Sequence, residues 1–424
     1  MAIRKYNDLP QEASFYFGVD DYEQKKHMRK FSEVLWSYAD EIQYLTEDVL
    51  KIAIDDKIIR YTTQTQQYED TLKSILCNAI SSVMTSRFHV TISMNKDSYT
   101  GIPDRYNPIG IKSRVFINLI KWLSENDYLN LYIAPRGSKV KVRSVFIVTD
   151  KLRELINGYE VKQQDLVHHK GTEPIELKRA KKLADYDDNE STHETRGLLQ
   201  QYEELLNSYK TKITINGERQ TQRVRIVRKC SEQLTKHGRI YGGSWQNCKS
   251  SNRETIIINN EETVEIDIVN CSLRMALHLK KINVEGDLYE GIKDYPRRLV
   301  KDSLNMMLNL NEVKSTKQGL ARVAQAMKEK YKDNDLSYLR ELVEACFNHY
   351  EYISKEYFFQ GRGLDLQYLD SKICLKVIED FTNDNEVVLT VHDSFIVRKE
   401  LELKLRQSII SHYEEIIGEK PILR

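Results

Sequence analysis

The sequence lacks the features that mark secreted, membrane-spanning or disulfide-linked proteins. No apolar run approaches the length of a membrane helix, and the opening MAIRKYNDLP contains no apolar signal core. The six cysteines are scattered singly, without a CxxC pair, which argues against zinc and for free, partly buried thiols in a reducing compartment. These absences predict a soluble, cytoplasmic protein.

Proline, glycine and excess charge are also scarce. Only 7 Pro and 17 Gly among 424 residues leave little material for long flexible linkers. Lys+Arg 64 and Asp+Glu 63 leave a net charge of +1, which excludes a uniformly basic nucleic-acid coat but not local basic faces. The length suffices for two or three domains with buried cores.

The patterns divide the chain into four segments. Residues 1–105 contain stretches with helical periodicity, HMRKFSEVLWSYADEI and YEDTLKSILCNAISSVM. Residues 106–157 have the spacing of a small compact domain, and the polar residues 158–195 are typical of a surface connector. Residues 196–424 form the largest predicted domain, so the expected fold class is α+β.

The second segment has the pattern of a winged helix. A helix in RVFINLIKWLSEN precedes a strand at Leu129–Ile133, a basic turn, a return strand at Lys139–Val148 and a helix that begins at Asp150. The turn and return strand carry the cations Arg136, Lys139, Lys141 and Arg143. Such a hairpin suits phosphate contacts with nucleic acid, although the same charges would also protect a solvated edge strand.

Two acidic residues stand where apolar strands are predicted. The alternation in VEIDIVN predicts a strand that ends near Asp267, and a helix follows from Cys271. A second strand, Glu386–Val397, carries His392 and Asp393 in its middle. Because a buried unpaired carboxylate is costly, and because Mg²⁺ prefers hard oxygen ligands, the two acids predict a two-metal phosphoryl-transfer site.

From about His237 to its end, the chain resembles family A DNA polymerases and the single-subunit phage RNA polymerases. The resemblance rests on four sequence pieces in the family's order: the GR…WQN element at 238–247, DIVNCSLR at 267–274 (motif A), GDLYEGIKDYPRRLVKDSLNMMLN at 286–309 (motif B), and LQYLDSKICLKVIEDF followed by LTVHDSFIV at 389–397 (motif C). It implies a polymerase-like palm with an antiparallel sheet and helices, preceded by the helical and winged-helix segments.

The resemblance also implies roles for individual residues. Asp267 and Asp393, with the carbonyl of Ile268, would hold two Mg²⁺ ions, with Mn²⁺ as an alternative. Lys301 would contact the triphosphate and act as a general acid, and Arg297, or in its place Arg298, would contact the γ-phosphate. Primer–template contacts would come from Arg239, Gln246, Gln367 and His392. Asp370 and Arg274 would face the same region or form a structural ion pair.

The sequence departs from the DNA polymerase pattern at several positions. Ser272 stands where DNA polymerases carry a Glu that crowds the sugar 2′ position, and motif C reads HDS rather than HDE. Both features are similar to the phage RNA polymerases. Motif B ends in Asn309-Leu310 instead of Tyr-Gly, and the short segment before it suggests reduced fingers. Nothing in the first 200 residues indicates a proofreading exonuclease.

These observations favour a template-directed nucleotidyltransferase that binds primer–template and nucleoside triphosphates, as in a compact DNA polymerase of a phage or mobile element. An RNA polymerase or primase that uses ribonucleotides is one alternative. A non-catalytic replication initiator or regulatory DNA-binding protein is the other. A serine-hydrolase interpretation of His392-Asp393-Ser394 is rejected, because neighbouring strand residues point to opposite faces.

Overall fold

The computed structural model describes residues 4–5, 28–58, 65–134, 143–208, 210–220, 223–292, 294–311 and 313–424. The fold is mixed α+β, as expected, and most strand pairs are antiparallel. The chain divides into two compact units, a first unit (1–173 and 221–223) and a second unit (174–220 and 224–424). The expected boundaries after residues 105 and 157 fall inside the first unit, and the expected connector 158–195 is divided at Pro174.

In its described residues, the first unit combines four helices with a five-stranded sheet and a two-stranded sheet. Its described helices are α1 (Asp40–Asp55), α2 (Thr65–Met84), α3 (Ser113–Glu125) and α4 (Asp150–Gly158). Its described strands are β1 (Arg4–Lys5), β2 (Met28–Lys30), β3 (Leu35–Ser37), β4 (His89–Ile92), β5 (Leu129–Ile133), β6 (Ser144–Val148) and β7 (Leu166–His168). The larger sheet has the order β1-β5-β6-β4-β2, and β3 pairs with β7.

The helix expected after Ser113, the strand at Leu129–Ile133 and the helix that begins at Asp150 are confirmed, and the expected return strand Lys139–Val148 is described from Ser144 onward. Helix α3 buries one face, which includes Phe116, Leu119 and Leu123, and strands β5 and β6 form an antiparallel pair. Strand β4 pairs with β6 on its other side, so the β5–β6 hairpin lies inside a larger sheet. The basic turn itself lies outside the described residues.

The helix expected over residues 27–42 is wrong for most of its length. Residues 28–37 contain the short strands β2 and β3, and α1 begins only at Asp40. The apolar residues Phe31 and Leu35 have helical spacing, but both are buried in the core of the first unit while their backbones pair with other strands or turn. Tertiary pairing therefore overrides the local pattern.

The second unit contains the remaining elements. Its described helices are α5 (Glu190–Asn207), α6 (Ser250–Arg253), α7 (Cys271–Leu279), α8 (Arg297–Asn309), α9 (Thr316–Lys330), α10 (Leu336–His349), α11 (Glu351–Tyr357), α12 (Gly363–Asn383) and α13 (Glu402–Ile417). Its described strands are β8 (Ile175–Arg179), β9 (Lys182–Leu183), β10 (Ile213–Ile215), β11 (Glu218–Arg219), β12 (Val227–Ser231), β13 (Lys236–Tyr241), β14 (Ile257–Ile258), β15 (Glu261–Asp267), β16 (Leu389–Val391) and β17 (Ser394–Arg398).

Two sheets organise the second unit. A six-stranded antiparallel sheet has the order β11-β10-β14-β15-β17-β16, and a four-stranded sheet has the order β13-β12-β8-β9. Helices α7, α12 and α13 contribute buried apolar residues, among them Leu273, Val377 and Leu405, to the core that also contains Phe395 of β17. Burying each such side chain contributes about 1.5–3 kcal/mol, so this core fixes the strands that carry the candidate site.

The six cysteines are free thiols, and five of them are buried, as the sequence predicts. No helix in the described part of the chain is both long enough and apolar enough to cross a lipid bilayer.

Candidate active site

The structure brings Asp267 and Asp393 together at one end of the six-stranded sheet. Strand β15 ends at Asp267, which lies opposite Ser394 in the antiparallel pair β15–β17. The amide of Ile268 donates a hydrogen bond to the carbonyl of Asp393 at 3.1 Å. Two acids that are distant in the sequence are therefore joined through adjacent backbone, and both remain partly exposed.

His392 and Asp393 lie in a hairpin turn, so the expected single strand over Glu386–Val397 is wrong. Strand β16 ends at Val391 and β17 begins at Ser394, and His392 has a left-handed φ of 60°. Two-residue hairpin turns require such positive φ values. The turn moves Asp393 from the middle of a buried strand to the tip of a hairpin, where its carboxylate can meet a ligand.

Asn270 links the start of α7 to the loop before α8. It has a φ of 55°, its side-chain oxygen accepts a hydrogen bond from the amide of Leu288 at 3.0 Å, and its amide nitrogen donates to Asp287 at 3.0 Å. Asp287 in turn accepts a hydrogen bond from Arg297 Nε at 2.7 Å. This chain of contacts fixes the first residue of α8 relative to the end of β15.

The two acids repel each other. Burial and then the charge of Asp393 raise the pKa of Asp267 from 3.8 to about 6, and Glu265 adds to the effect. Arg424 and Lys301 act in the opposite direction without cancelling it. The end of β15 therefore carries unneutralised negative charge, which favours the binding of a cation.

The donor set suits Mg²⁺ better than zinc. No group of three or more His, Cys, Asp or Glu residues in the described part of the chain is arranged to hold a metal. Mg²⁺ commonly binds one or two carboxylates and completes its shell with water and substrate phosphate. Asp267 and Asp393, with the main chain at Ile268, match that smaller requirement, and the raised pKa of Asp267 is the observation that supports it.

Arg239 lies beside this pair but is held by Asp370. Arg239 Nε donates to Asp370 Oδ2 at 3.1 Å, and the Asp370 side chain is only 4% exposed. Burial raises the pKa of Asp370, Arg239 opposes this, and the nearby charge of Asp393 adds to it. Burial alone would lower the pKa of Arg239. The charges of Asp370 and Asp393 outweigh burial and raise that pKa above its ordinary value. The expected nucleic-acid contact of Arg239 stays a prediction, since its guanidinium is partly exposed.

The expected pairing of Asp370 with Arg274 is wrong. Arg274 is fully buried and donates to the carbonyls of Val269, Val284 and Gly286 at 3.1, 2.6 and 2.6 Å. Its role is to close the loop after α7. Asp370 takes Arg239 as its partner instead because both lie where α12 packs against the edge of β13.

The cations of α8 differ in their environments. Arg297 forms an ion pair with Asp287, and Arg298 lies over the ring of Tyr331 at 5.7 Å. Lys301 is exposed, forms no ion pair with any described residue, and lies near enough to lower the pKa of Asp267. Lys301 is therefore the cation of this helix that is available to an anionic ligand beside the two acids.

Three further predicted residues are placed around the same region. Ser272 is the second residue of α7, Gln367 lies partly exposed in the first turns of α12, and the His392 ring meets the Tyr241 ring edge-on at 5.7 Å. His392 Nδ1 is buried and has no hydrogen-bond partner among the described residues.

Gln246 has mainly structural contacts. Its amide nitrogen donates to the carbonyls of Ile240 and Thr390 at 3.0 Å each, and its oxygen accepts from the amide of Gly242 at 3.0 Å. Gln246 thus ties β13 to β16. Its expected contact with nucleic acid is not tested by this geometry.

The expected wing residues are only partly described. Arg136, Lys139 and Lys141 lie outside the described residues, and Arg143 is exposed immediately before β6. Their expected contact with nucleic acid remains a prediction.

Sequence reasoning missed two groups beside the acids. Glu265 accepts hydrogen bonds from Arg253 Nε and from Ser394 Oγ, at 2.9 and 2.6 Å. Its position two residues before Asp267 on one strand was a usable signal, because such residues share a face. The Arg424 main chain exchanges two 3.0 Å hydrogen bonds with Asp267, and its guanidinium is 3.4 Å from the carboxylate. No local pattern indicated that contact.

No family model matches the chain, and no curated protein matches its sequence. The chemistry of the site is therefore inferred from the residues and contacts described above.

Proposed function

We propose that the protein is a template-directed nucleotidyltransferase, a compact DNA polymerase similar to family A enzymes. The observation that carries the proposal is the meeting of Asp267 with Asp393 at the end of β15 and the tip of the β16–β17 hairpin. Repulsion between them and the resulting negative charge are what a site for divalent cations requires.

The surroundings of the acids support the same proposal. The second unit would be the palm and reduced fingers, with the six-stranded antiparallel sheet as its floor. Helix α8 presents the exposed Lys301 next to Asp267, and α12 carries Gln367 toward its start. The resemblance to family A polymerases implies the same arrangement, with a triphosphate-binding lysine on the first of these helices and a primer–template-binding glutamine on the second.

Each residue has a defined task in the proposed reaction. Asp267 and Asp393 would hold Mg²⁺, which when bound supplies activation of a primer 3′-hydroxyl and stabilises the pyrophosphate leaving group. Lys301 would neutralise charge that develops on the triphosphate and would donate a proton to the leaving group. Arg297 is oriented by Asp287 and contributes a second cation on the same helix. Arg298 is its alternative.

The nature of the sugar is a second question. Ser272 leaves more room at the start of α7 than the Glu of DNA polymerases, which favours tolerance of ribonucleotides. The alternative of an RNA polymerase or primase follows from this residue and from Ser394 in motif C. Neither feature changes the proposed chemistry.

A polar and basic helix face in the first unit favours the non-catalytic alternative, a DNA-binding protein. Helix α3 leads into the antiparallel hairpin β5–β6, and its outward face carries Arg114, Asn118 and Lys121 at helical spacing. A polar and basic helix face of this kind suits the major groove. A replication initiator would use this surface without nucleotide addition.

Primer extension tests the proposal. Purified protein is incubated with a labelled primed template and Mg²⁺, with deoxyribonucleotides and ribonucleotides in separate reactions. Template-dependent growth of the primer supports a polymerase, and the preferred nucleotide assigns the product. No growth with either nucleotide, in a protein that still binds duplex DNA tightly, would favour the initiator.

A further inference from the structure

The four-stranded sheet β13-β12-β8-β9 has one buried and one accessible face. Ile175 and Leu177 of β8, Cys230 of β12 and Ile240 of β13 are buried on one side. Because side chains alternate along a strand, the residues between them point to the other side. The register places Lys229 directly opposite Arg239 on one neighbour and Glu176 on the other.

This accessible face and the hairpin at its end are strongly basic. The hairpin between β8 and β9 contains Lys178, Arg179, Lys181 and Lys182 in five consecutive positions. Ala180 and Lys181 have φ values of 47° and 67°, which form a tight two-residue turn, and all four cations are exposed. Lys178 lies on the accessible face with Lys229, whereas the paired Arg179 and Lys182 lie on the other side of this exposed sheet edge. We refer to Lys178, Arg179, Lys181, Lys182 and Lys229 as the basic track.

The track is not neutralised by neighbouring acids. Lys178 and Lys229 form no ion pair with any described residue, and Lys229 Nζ lies 4.5 Å from the centroid of the Tyr241 ring. Glu176 lies on the same face, but it is 3.8 Å from Arg225. Charges that serve only to protect an edge strand would be confined to β9, whereas these extend inward across β8 and β12.

The track is continuous with the candidate active site. His237 of β13 lies between them, and burial together with the charges of Arg239, Lys229, His392 and Lys178 lowers its pKa to about 4. Positive charge therefore extends across the sheet from Arg239 on β13 through Lys229 on β12 to Lys178 on β8. The three inter-strand steps from β13 to β9 span about 14 Å, which corresponds to roughly four phosphates along one DNA strand.

We propose that the basic track binds the sugar–phosphate backbone of the primer–template duplex next to the active site. The proposal rests on the proposed function, because it takes the primer end to lie at Asp267 and Asp393. The contacts are with phosphates, so they position the duplex without reading its sequence. Lys229, which lies over the ring of Tyr241, is the part of the track nearest the site, and the β8–β9 hairpin is the distal part.

The test measures binding separately from catalysis. Fluorescence anisotropy of a fluorescein-labelled primed template is recorded over a salt series, with no nucleotide present. The test protein carries Lys178→Ala, Lys181→Ala and Lys182→Ala. A charge-matched control carries Lys212→Ala, Lys314→Ala and Lys420→Ala, which are exposed lysines of the second unit outside the four-stranded sheet. Thermal unfolding checks that both variants are folded.

We expect the track variant to bind about 10-fold or more weakly at low salt, and its log–log salt slope to fall by about 2 to 3, because each phosphate contact contributes about 0.9. The control should stay within about twofold of the unmodified protein. The same loss is expected with DNA and RNA primers, since both present phosphates. A single Lys229→Ala variant should reduce the slope by about 1.

The outcomes separate the two proposals. If the track variant binds like the control while the unmodified protein extends primers, the track is wrong and the polymerase proposal stands. If the unmodified protein adds no nucleotide but the track variant alone loses binding, the surface is a nucleic-acid site and the polymerase proposal fails. A loss equal in track variant and control would show only a net-charge effect and would overturn the track.

Discussion

Two carboxylate environments lie side by side in the second unit and have opposite properties. Asp267 and Asp393, the accessible pair, are partly exposed, and the charges of Arg424 and Lys301 do not cancel the repulsion that raises the pKa of Asp267. Arg239 and Asp370, the buried pair, form a charge-assisted hydrogen bond of 3.1 Å away from water. The accessible pair is suited to binding a cation, whereas the buried pair already contains its own.

The two pairs should respond differently when an acid is removed. A residue of the accessible pair should be dispensable for folding and essential for activity. A residue of the buried pair should be essential for folding, because its removal leaves a charge without a partner in the interior.

The largest effect is expected for Asp393→Asn. The amide keeps the shape of the hairpin tip but is a poor ligand for Mg²⁺, so kcat/KM for single-nucleotide addition should fall at least ~1,000-fold, about 4 kcal/mol. Rapid-quench incorporation measures the rate, and thermal unfolding should show no loss of stability. Full activity in this variant would end the assignment of the accessible pair as the catalytic centre.

Asp370→Ala tests the buried pair. We expect the free energy of unfolding to fall by about 3 kcal/mol, since the largely buried Arg239 would lose its partner. Urea denaturation measures the change. The double variant Asp370→Leu with Arg239→Met should recover most of the loss, because it removes both charges. An Asp370→Ala midpoint equal to that of the unmodified protein would show that the pair is not structural.

Lys301 and Arg298 extend the contrast to the cations of α8. Lys301→Ala should reduce nucleotide addition by about 100-fold, or ~2.7 kcal/mol, because it removes the unpaired ammonium beside Asp267. Arg298→Ala on the same helix should reduce nucleotide addition less, since its guanidinium lies over Tyr331 and its phosphate contact is proposed only as the alternative to that of Arg297. If steady-state assays show equal losses of nucleotide addition in the two variants, both residues contact the triphosphate.

The smallest effect is a pH-dependent gain of stability in Asp267→Asn. Because the folded pKa of Asp267 is about 6 and its ordinary value is 3.8, the folded state holds the proton more tightly, and stability falls as pH rises between these values. Above pH ~7 the variant should therefore be more stable by about 1 kcal/mol, a value reduced for the exposed third of the side chain. Near pH 4 the difference should vanish.

Magnesium provides the control for that measurement. Mg²⁺ should raise the unfolding temperature of the unmodified protein, because a ligand that binds only the folded state stabilises it, and should not do so in Asp267→Asn. A variant that is less stable than the unmodified protein at high pH would contradict the repulsion between the two acids.

The sequence predicted much of the second unit because its patterns are regular. The change from strand to helix between Asp267 and Cys271 and the helices at Arg297 and Leu366 followed from side-chain periodicity. The sequence predicted that Asp393 lies close to Asp267, but it did not predict that Asp393 lies in a hairpin turn. His392 and Asp393 interrupt a continuous β-branched and aromatic run without the Gly or Asn that usually marks such a turn.

Other features depend on contacts that no local pattern encodes. The pairing of Arg239 with Asp370 joins a strand edge to a distant helix, and Arg424 reaches Asp267 from another part of the chain. The strands β2 and β3 were mistaken for helix because pairing with β4 and β7 outweighs local spacing. The basic run KRAKK (residues 178–182) can be read from the sequence. Only the sheet register shows that it lies in the same sheet as Lys229 and Arg239.

The contact between Ser394 and Glu265 bears on the segment LTVHDSFIV, which resembles motif C of DNA polymerases. Where those enzymes carry Glu after the Asp of the hairpin, this chain has Ser394, and its hydroxyl donates to Glu265 on the paired strand. Arg253 holds the same carboxylate with two nitrogens. The charge lost from one strand is thus present on its neighbour, so introducing Glu at 394 alone would set two anions against each other. A motif exchange between such proteins should move both positions of the strand pair together.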